Sequence, residues 1–410
     1  MTQTHQAPLN TPGPVQMDDI SGEVAIVGIG ESAYAGATGR TSQEICFDAI
    51  DAALKDSGLR PEQIDGIMVR GGMDGQISPQ GFQEHYGTTT DIWFCEEGGA
   101  MTWAATAPYE AAKALREGRA TTILNVFGVD WASQRSSGGD GHASYHLAEA
   151  MKANAEVVFG FIPQPIYFAH IARRHMMEHG TTAAQLGEIA VTFRQHANGH
   201  PDAVMKDKRL ELDDYLQRPM LVDPLRVEDC CLVSDGAAAY IMVSADRADT
   251  FPNPPVIVEG VGHGISEAGS YFAQQPKFMC SPQIYSAPGA FAMAGIEPQQ
   301  IDVLALYDPF TILALIQIED MGFCAKGEGG RFVEGGRLHF QRPRSTGGLP
   351  TNTHGGLLSH AYVLGIAHVV ELVRQLRGTA ANQVANCQFA AYGGYTGESA
   401  GTLVLSRRPG

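Results

Sequence analysis

A duplicated α/β fold is what this sequence predicts, on three observations. An order of parts recurs, apolar strands alternate with helical runs in each copy, and one segment of different composition interrupts the first copy. At 410 residues the chain is long enough for two fused halves around a large core. Residues 1–20, polar and proline-containing, are expected as a loose tail, with residues 21–250 as the first half and 251–410 as the second.

Each half opens on a short apolar strand ending in glycine, Val24-Ala-Ile-Val-Gly-Ile-Gly30 and Val256-Ile-Val-Glu-Gly-Val-Gly262. A helical run then leads to matching octads, Gly58-Leu-Arg-Pro-Glu-Gln-Ile-Asp65 and Gly295-Ile-Glu-Pro-Gln-Gln-Ile-Asp302. Strands follow at Gly66–Val69 and Val303–Tyr307. A third pair of helices, Tyr109–Gly118 and Val369–Gly378, precedes the strands Thr122–Phe127 and Cys387–Tyr392. Chance could supply one matched octad, but not three ordered pairs. Between about 131 and 225 the chain is richer in His, Arg and Asp and holds helical patterns such as Tyr167–His179, so it is expected as a loop insertion in the first half. Asp229-Cys-Cys-Leu-Val-Ser-Asp-Gly-Ala-Ala-Ala returns it to the sheet, and Pro252, Pro254 and Pro255 mark the passage to the second half.

Composition narrows the function classes. A net charge of -17 disfavours nucleic acid and anionic membrane surfaces as partners. Seven scattered cysteines without metal-ligand spacing read as reduced thiols of a cytoplasmic protein, with no metal site expected. No secretory leader is visible at the N-terminus, and no apolar run is long enough to span a bilayer. Val27-Gly-Ile-Gly-Glu-Ser-Ala33 imitates a dinucleotide fingerprint, but the glycine-rich residues after it cannot open a phosphate-binding helix.

The stretch Thr351-Asn-Thr-His-Gly-Gly-Leu-Leu-Ser-His-Ala-Tyr-Val-Leu-Gly365 is a glycine-rich turn that runs into a helical pattern through Arg377. Bare N–H groups at such a turn and helix start could stabilise negative charge developing on a substrate oxygen. With the 229–239 motif, Leu306-Tyr-Asp-Pro-Phe-Thr311 and Glu371–Gly378, this stretch resembles the thiolase superfamily, in its sterol-carrier-protein-type branch, from about Val24 to Leu405. The resemblance implies a thiolase fold: duplicated βαβαβαββ halves in a five-layered αβαβα arrangement.

The site departs from the thiolase pattern. The nucleophilic cysteine of that family would fall near Met101 or Thr102, and Cys95, heading Cys-Glu-Glu-Gly, lies about two helical turns too early. Tyr307-Asp-Pro-Phe310 stands where sterol-carrier-type thiolases read His-Asp-Cys-Phe, and Tyr362 stands where thiolases carry the histidine of Gly-His-Pro. Without a nucleophile there is no acyl-enzyme, whereas a β-hydroxyacyl thioester can cleave without one. Loss of its hydroxyl proton breaks the carbon–carbon bond into a carbonyl compound and a thioester enolate.

This departure resembles the thiolase-fold retro-aldolases of steroid side-chain degradation. It implies cleavage of a steroid or bile-acid side-chain CoA thioester to a ketone plus propionyl-CoA or acetyl-CoA. The same resemblance implies Tyr307 and Tyr362 as joint base and acid, no covalent cofactor, and CoA only as part of the substrate. It also implies a homodimer through the core and a small zinc-ribbon/OB-fold acyl-CoA-binding partner of the DUF35 type, zinc belonging to that partner alone. A free phenol ionises near pH 10, so a phenolate base at neutrality would require about 4 kcal/mol of differential stabilisation. Asn352 and the Gly355 and Gly356 amides are candidate oxyanion donors, His354 and His360 candidate orienting groups, and Lys206, Lys208 and Arg209 a candidate site for a CoA phosphate. Two alternatives stay open: a thiolase or acyltransferase that uses Cys95, and a non-catalytic lipid-binding subunit.

Overall fold

The computed structural model of the chain describes residues 11–71, 75–97, 100–138, 154, 156–267, 275–395 and 397–407. Its strands are β1 (Gly13–Pro14), β2 (Val24–Glu31), β3 (Gly66–Arg70), β4 (Trp93–Glu97), β5 (Thr122–Asp130), β6 (Met220–Val222), β7 (Leu225–Arg226), β8 (Asp235–Ser244), β9 (Val256–Ile265), β10 (Val303–Leu306), β11 (Phe389–Tyr395) and β12 (Ser399–Arg407). One half-sheet runs β4-β3-β5-β8-β2, the other β10-β11-β12-β9. In each, the pair toward the sheet edge (β3–β5, β10–β11) is parallel and the next two pairings inward are antiparallel, so the duplication extends to strand direction. The halves join through β2 and β9 over two residue pairs, Ala25–Ile257 and Ile26–Val256.

The octads behave alike. Gly58 and Gly295 end their helices at φ +71° and +64°, a left-handed cap that costs glycine no Cβ clash, and each is followed by a 3-10 turn, Pro61–Gln63 or Pro298–Gln300. The glycines in the opening strands serve packing. A Cβ on Gly30 would lie 2.1 Å from the Ala49 carbonyl oxygen, and one on Gly262 1.9 Å from that of Ser286. The helices Ser42–Ser57 and Gln283–Ala294 therefore rest directly on strand backbone, and Gly28 and Gly30 are occupied by a helix rather than a dinucleotide.

Five layers follow from what touches what. Ser42–Ser57 covers β2, β5 and β8 on the outside of the first half-sheet, and Gln283–Ala294 covers β9 and β12 on the outside of the second. The helices Ala100–Arg116 and Ile366–Arg377 each contact strands of both halves and fill the space between. The insertion contributes the helices Gln164–His179 and Ala183–Asn198 and the β6–β7 ribbon, and both helices pack on Thr311–Asp320 of the second half. No described helix is long and apolar enough to cross a membrane.

Two expectations need correction. Residues 13–20 are docked rather than loose: β1 pairs with Gly264 and Ile265, the Val15 N–H donates to the His263 carbonyl at 2.9 Å, and Ile20 is fully buried. Residues 1–10 lie outside the described residues. The second half also lacks a full third strand. Where β4 pairs with β3 over five residues, only Thr351 bridges Leu304 in parallel. Asn352 then turns away at φ +49°, and its carboxamide takes over the pairing: Oδ1 accepts the Leu306 N–H at 2.7 Å and Nδ2 donates to the Leu306 carbonyl at 2.9 Å. One side chain stands in for the missing peptide group.

Candidate active site

β10 ends at Leu306, and the next residue, Tyr307, is pinned on both sides of its backbone. Its N–H donates to the Gly393 carbonyl at 2.8 Å, and its carbonyl accepts from Gln317 Nε2 at 2.7 Å. Tyr362 is approached from the first half: its N–H donates to Ser234 Oγ at 2.7 Å, and its ring packs on Trp131 with centroids 5.1 Å apart. The two phenol oxygens meet at 2.7 Å, in side chains only 3% and 6% exposed. Either oxygen can be the donor.

Burial, followed by the neighbouring Tyr362 and Cys231, pushes the Tyr307 phenol well above its ordinary value. A phenolate base would need a phenol brought down to neutrality. The structure shows the opposite for Tyr307, because a charged phenolate in that enclosed position would lose its water. The pair is suited to passing a proton between neutral groups.

The glycine turn is built around a buried carboxyl group. Asp308 is buried; Oδ1 accepts the Leu357 N–H at 2.9 Å and stands 3.0 Å from His368 Nε2, while Oδ2 accepts the Leu358 N–H at 3.4 Å. Desolvation raises the Asp308 carboxyl, partly offset by His368 and these amides. Gly356 sits at φ +62° with a notional Cβ 2.2 Å from Asp308 Oδ2, so the turn closes only around glycine. Gly355 lies at φ +113°, and its N–H donates to the Asn352 carbonyl at 2.8 Å. The expected oxyanion donors Asn352 and Gly355 are thus engaged within the protein, by the strand end at Leu306 and by the turn itself.

His354 and His360 are each 1% exposed, and among the described residues neither nitrogen of either ring has a hydrogen-bond partner. They belong to a file of edge-on imidazoles: His200 to His360 at 4.7 Å between centroids, His360 to His354 at 4.9 Å, His354 to His368 at 4.8 Å. Desolvation first, then the neighbouring imidazoles and Arg374, holds His354 and His360 well below the usual histidine range, so both are neutral. Lys206, Lys208 and Arg209 are exposed. Their turn is tied to the same region, since the Val204 and Met205 N–H groups donate to the carbonyls of His360 and Ser359.

Cys95 lies in β4, paired with Met68 and packed in the core, not at a helix start. Met101 and Thr102 occupy the first turn of Ala100–Arg116, where the Met101 carbonyl accepts from Tyr392 Oη at 2.9 Å. Burial pushes the Cys230 thiol up to about 12 and Cys231 still higher. Sequence reasoning missed Asp308, His368, Ser234, Trp131 and Tyr392. Asp308, Ser234, His368 and Tyr392 stood inside quoted stretches that gave no sign of their contacts; Trp131 carried no local signal. No described group of three or more His, Cys, Asp or Glu residues could hold a metal ion.

Comparison with known proteins places the chain in a family. Residues 264–407 match a family model described as thiolase C-terminal domain-like. The chain is 31% identical over 390 residues to a steroid side-chain-cleaving aldolase of Thermomonospora curvata, covering 90% of this chain and 93% of that one. It is 32% identical over 409 residues to a 17-hydroxy-3-oxo-4-pregnene-20-carboxyl-CoA lyase of Mycobacterium tuberculosis, covering 94% of this chain and all of its relative (100%). A solved structure described as Ltp2-ChsH2(DUF35) aldolase superposes with a TM-score of 0.86 at 30% identity, over 96% of this chain and 100% of that one. Human mitochondrial 3-ketoacyl-CoA thiolase, at TM-score 0.68 and 14% identity, shares the fold. The chain is a member of the thiolase superfamily, close to the steroid side-chain-cleaving aldolases.

Proposed function

We propose that this protein is a carbon–carbon lyase that cleaves a β-hydroxyacyl-CoA, a steroid side-chain thioester, into a ketone and a short acyl-CoA by a retro-aldol step. The observation that carries this reading is the 2.7 Å contact between two buried phenols, at positions where thiolases hold other chemistry. As the bond between the α- and β-carbons breaks, one phenol oxygen takes the substrate hydroxyl proton, its own proton passes to the second phenol, and the proton of that second phenol passes to the α-carbon of the nascent thioester enolate, all in one concerted transfer. A ketone and a short acyl-CoA result, and both tyrosines end neutral. No phenolate accumulates, in keeping with the raised Tyr307.

The enolate oxygen requires a donor. Among the groups expected there, His354 and His360 have ring nitrogens without a partner among the described residues, which favours them over Asn352 and Gly355. The Gly356 amide remains a candidate alongside them. Lys206, Lys208 and Arg209, beside the 359–360 segment, suit a CoA phosphate. The aldolase structure described with a DUF35 component supports a partner of that type, and we assign the zinc to that partner on the resemblance alone. We assign a homodimer through the core, a cytoplasmic setting, and a division into residues 21–250 and 251–410. Ketone release from steroid β-hydroxyacyl-CoA thioesters, measured after co-expression with a DUF35 protein, tests the reading. Tyr307→Phe and Tyr362→Phe should each lower kcat by about 10²–10⁴. A substrate fragment trapped on Cys95, with Tyr362→Phe fully active, would overturn it.

A further inference from the structure

Asp308 hangs from the residue next to Tyr307, yet its carboxylate binds chain on both sides of Tyr362. The Leu357 and Leu358 amides, which it accepts, open the helical turn Gly356–Ser359 that leads to Tyr362. His368, which it also meets, lies in the helix Ile366–Arg377 that follows. Leu357 is fastened in turn to the first half, its carbonyl accepting the Leu232 N–H at 3.0 Å two residues before Ser234, the partner of the Tyr362 N–H. The approach is tight enough that Gly356 admits no side chain. Carboxylate oxygens accept several donors at once, and here all three come from the framework of Tyr362.

We infer that Asp308, together with His368, is a positioning group that holds the two phenols at proton-transfer distance. It acts through Tyr307 and Tyr362 rather than on the substrate. The inference rests on the retro-aldol reading: a relay between neutral phenols works only while their oxygens stay within about 2.6–3.2 Å, and a misplacement of about 1 Å can cost a hundredfold in rate.

Asp308→Asn keeps the shape but puts an amide NH₂ against donors that have no use for it. With the partner protein present, kcat for ketone release should fall about a hundredfold while KM stays within about threefold. Asp308→Asn combined with Tyr362→Phe should be no slower than Tyr362→Phe alone, because the carboxylate then has no phenol pair left to align. A general structural weakness would instead slow the Tyr362→Phe enzyme further. His368→Gln, which leaves both amide contacts, should show a smaller loss with the same non-additivity, and decides the matter if Asp308→Asn does not fold by circular dichroism. Wild-type kcat in the folded variant, or losses that multiply with Tyr362→Phe, would overturn the inference. A fully active Tyr362→Phe would sink the retro-aldol reading instead; an inactive Tyr362→Phe beside a fully active Asp308→Asn sinks this inference alone.

Discussion

The third strand is where the two halves part company. In the first half, β4 runs beside β3 for five residues and stays a strand, burying Cys95 as it goes. In the second, pairing stops after the Thr351 bridge, and the chain turns at Asn352 into the glycine turn that closes over Asp308. A strand paired along its length keeps the chain extended beside its neighbour, which leaves no turn to shape a cavity. A strand cut short, with one carboxamide finishing its hydrogen bonds, frees the following residues to carry Tyr362. The site proposed for this molecule sits where the repeat is broken.

The largest effect is expected where that broken strand is least forgiving. Gly356→Ala places a methyl group 2.2 Å from Asp308 Oδ2 at a left-handed φ of +62°, so the turn must shift. A displacement of about 1 Å should lower kcat by at least about a hundredfold in the ketone-release assay. A Gly356→Ala enzyme with normal kcat would mean that the turn does not set the site.

Asn352→Ala tests the strand mimic itself. It strips partners from the buried N–H and carbonyl of Leu306, and chemical denaturation should show a loss of about 2–4 kcal/mol. A loss below about 0.5 kcal/mol would show that the carboxamide is not what finishes the sheet.

A pH titration probes the second-half turn further, because His354 and His360 both lie in it, with rings 4.9 Å apart. His354 and His360 are held below the ordinary histidine value when folded, chiefly by burial. Above about pH 6.5 neither state protonates them and their stability contribution is complete. As pH falls below about 6.5 the unfolded chain binds protons that the folded one refuses, so stability drops. Tm should fall between pH 7.5 and 5.5, and His354→Asn with His360→Asn should flatten the slope; an unchanged slope would show that these rings do not control it.

The smallest effect is expected in the unbroken strand. Cys95→Ala should leave ketone release within about twofold and cost about 1 kcal/mol of stability, the ordinary loss for a buried atom. Abolished turnover would restore the covalent alternative.

How much of this could be read beforehand depends on distance along the chain. The repeat was legible because octads, capping glycines and apolar strands are local patterns, and each recurs as written at Gly58 and Gly295. Tyr307 and Tyr362 were legible only through resemblance; their 2.7 Å contact joins residues 55 positions apart. The bond from Ser234 to Tyr362 spans 128 positions and that from Asp308 to His368 spans 60, separations at which no periodicity operates. Asn352 was read as a substrate donor because a sequence does not show that a strand ends early and needs a side chain to complete it. β1 escaped notice for a related reason: a two-residue strand has no alternation to detect. The expected direction of the Tyr307 ionisation failed because burial is a property of the assembled halves, not of the motif.

Two phenols facing each other also change what can poison the reaction. Sulfur climbs from sulfenic to sulfonic acid under peroxide and is capped by alkylating agents, while a neutral phenol does neither under the same exposure. Cys46, Cys231 and Cys387 are raised by burial into the range of inert thiols. Turnover should therefore persist through oxidant and iodoacetamide treatments that silence a thiolate-dependent cousin, so that carbon–carbon scission here is uncoupled from the redox state of its surroundings.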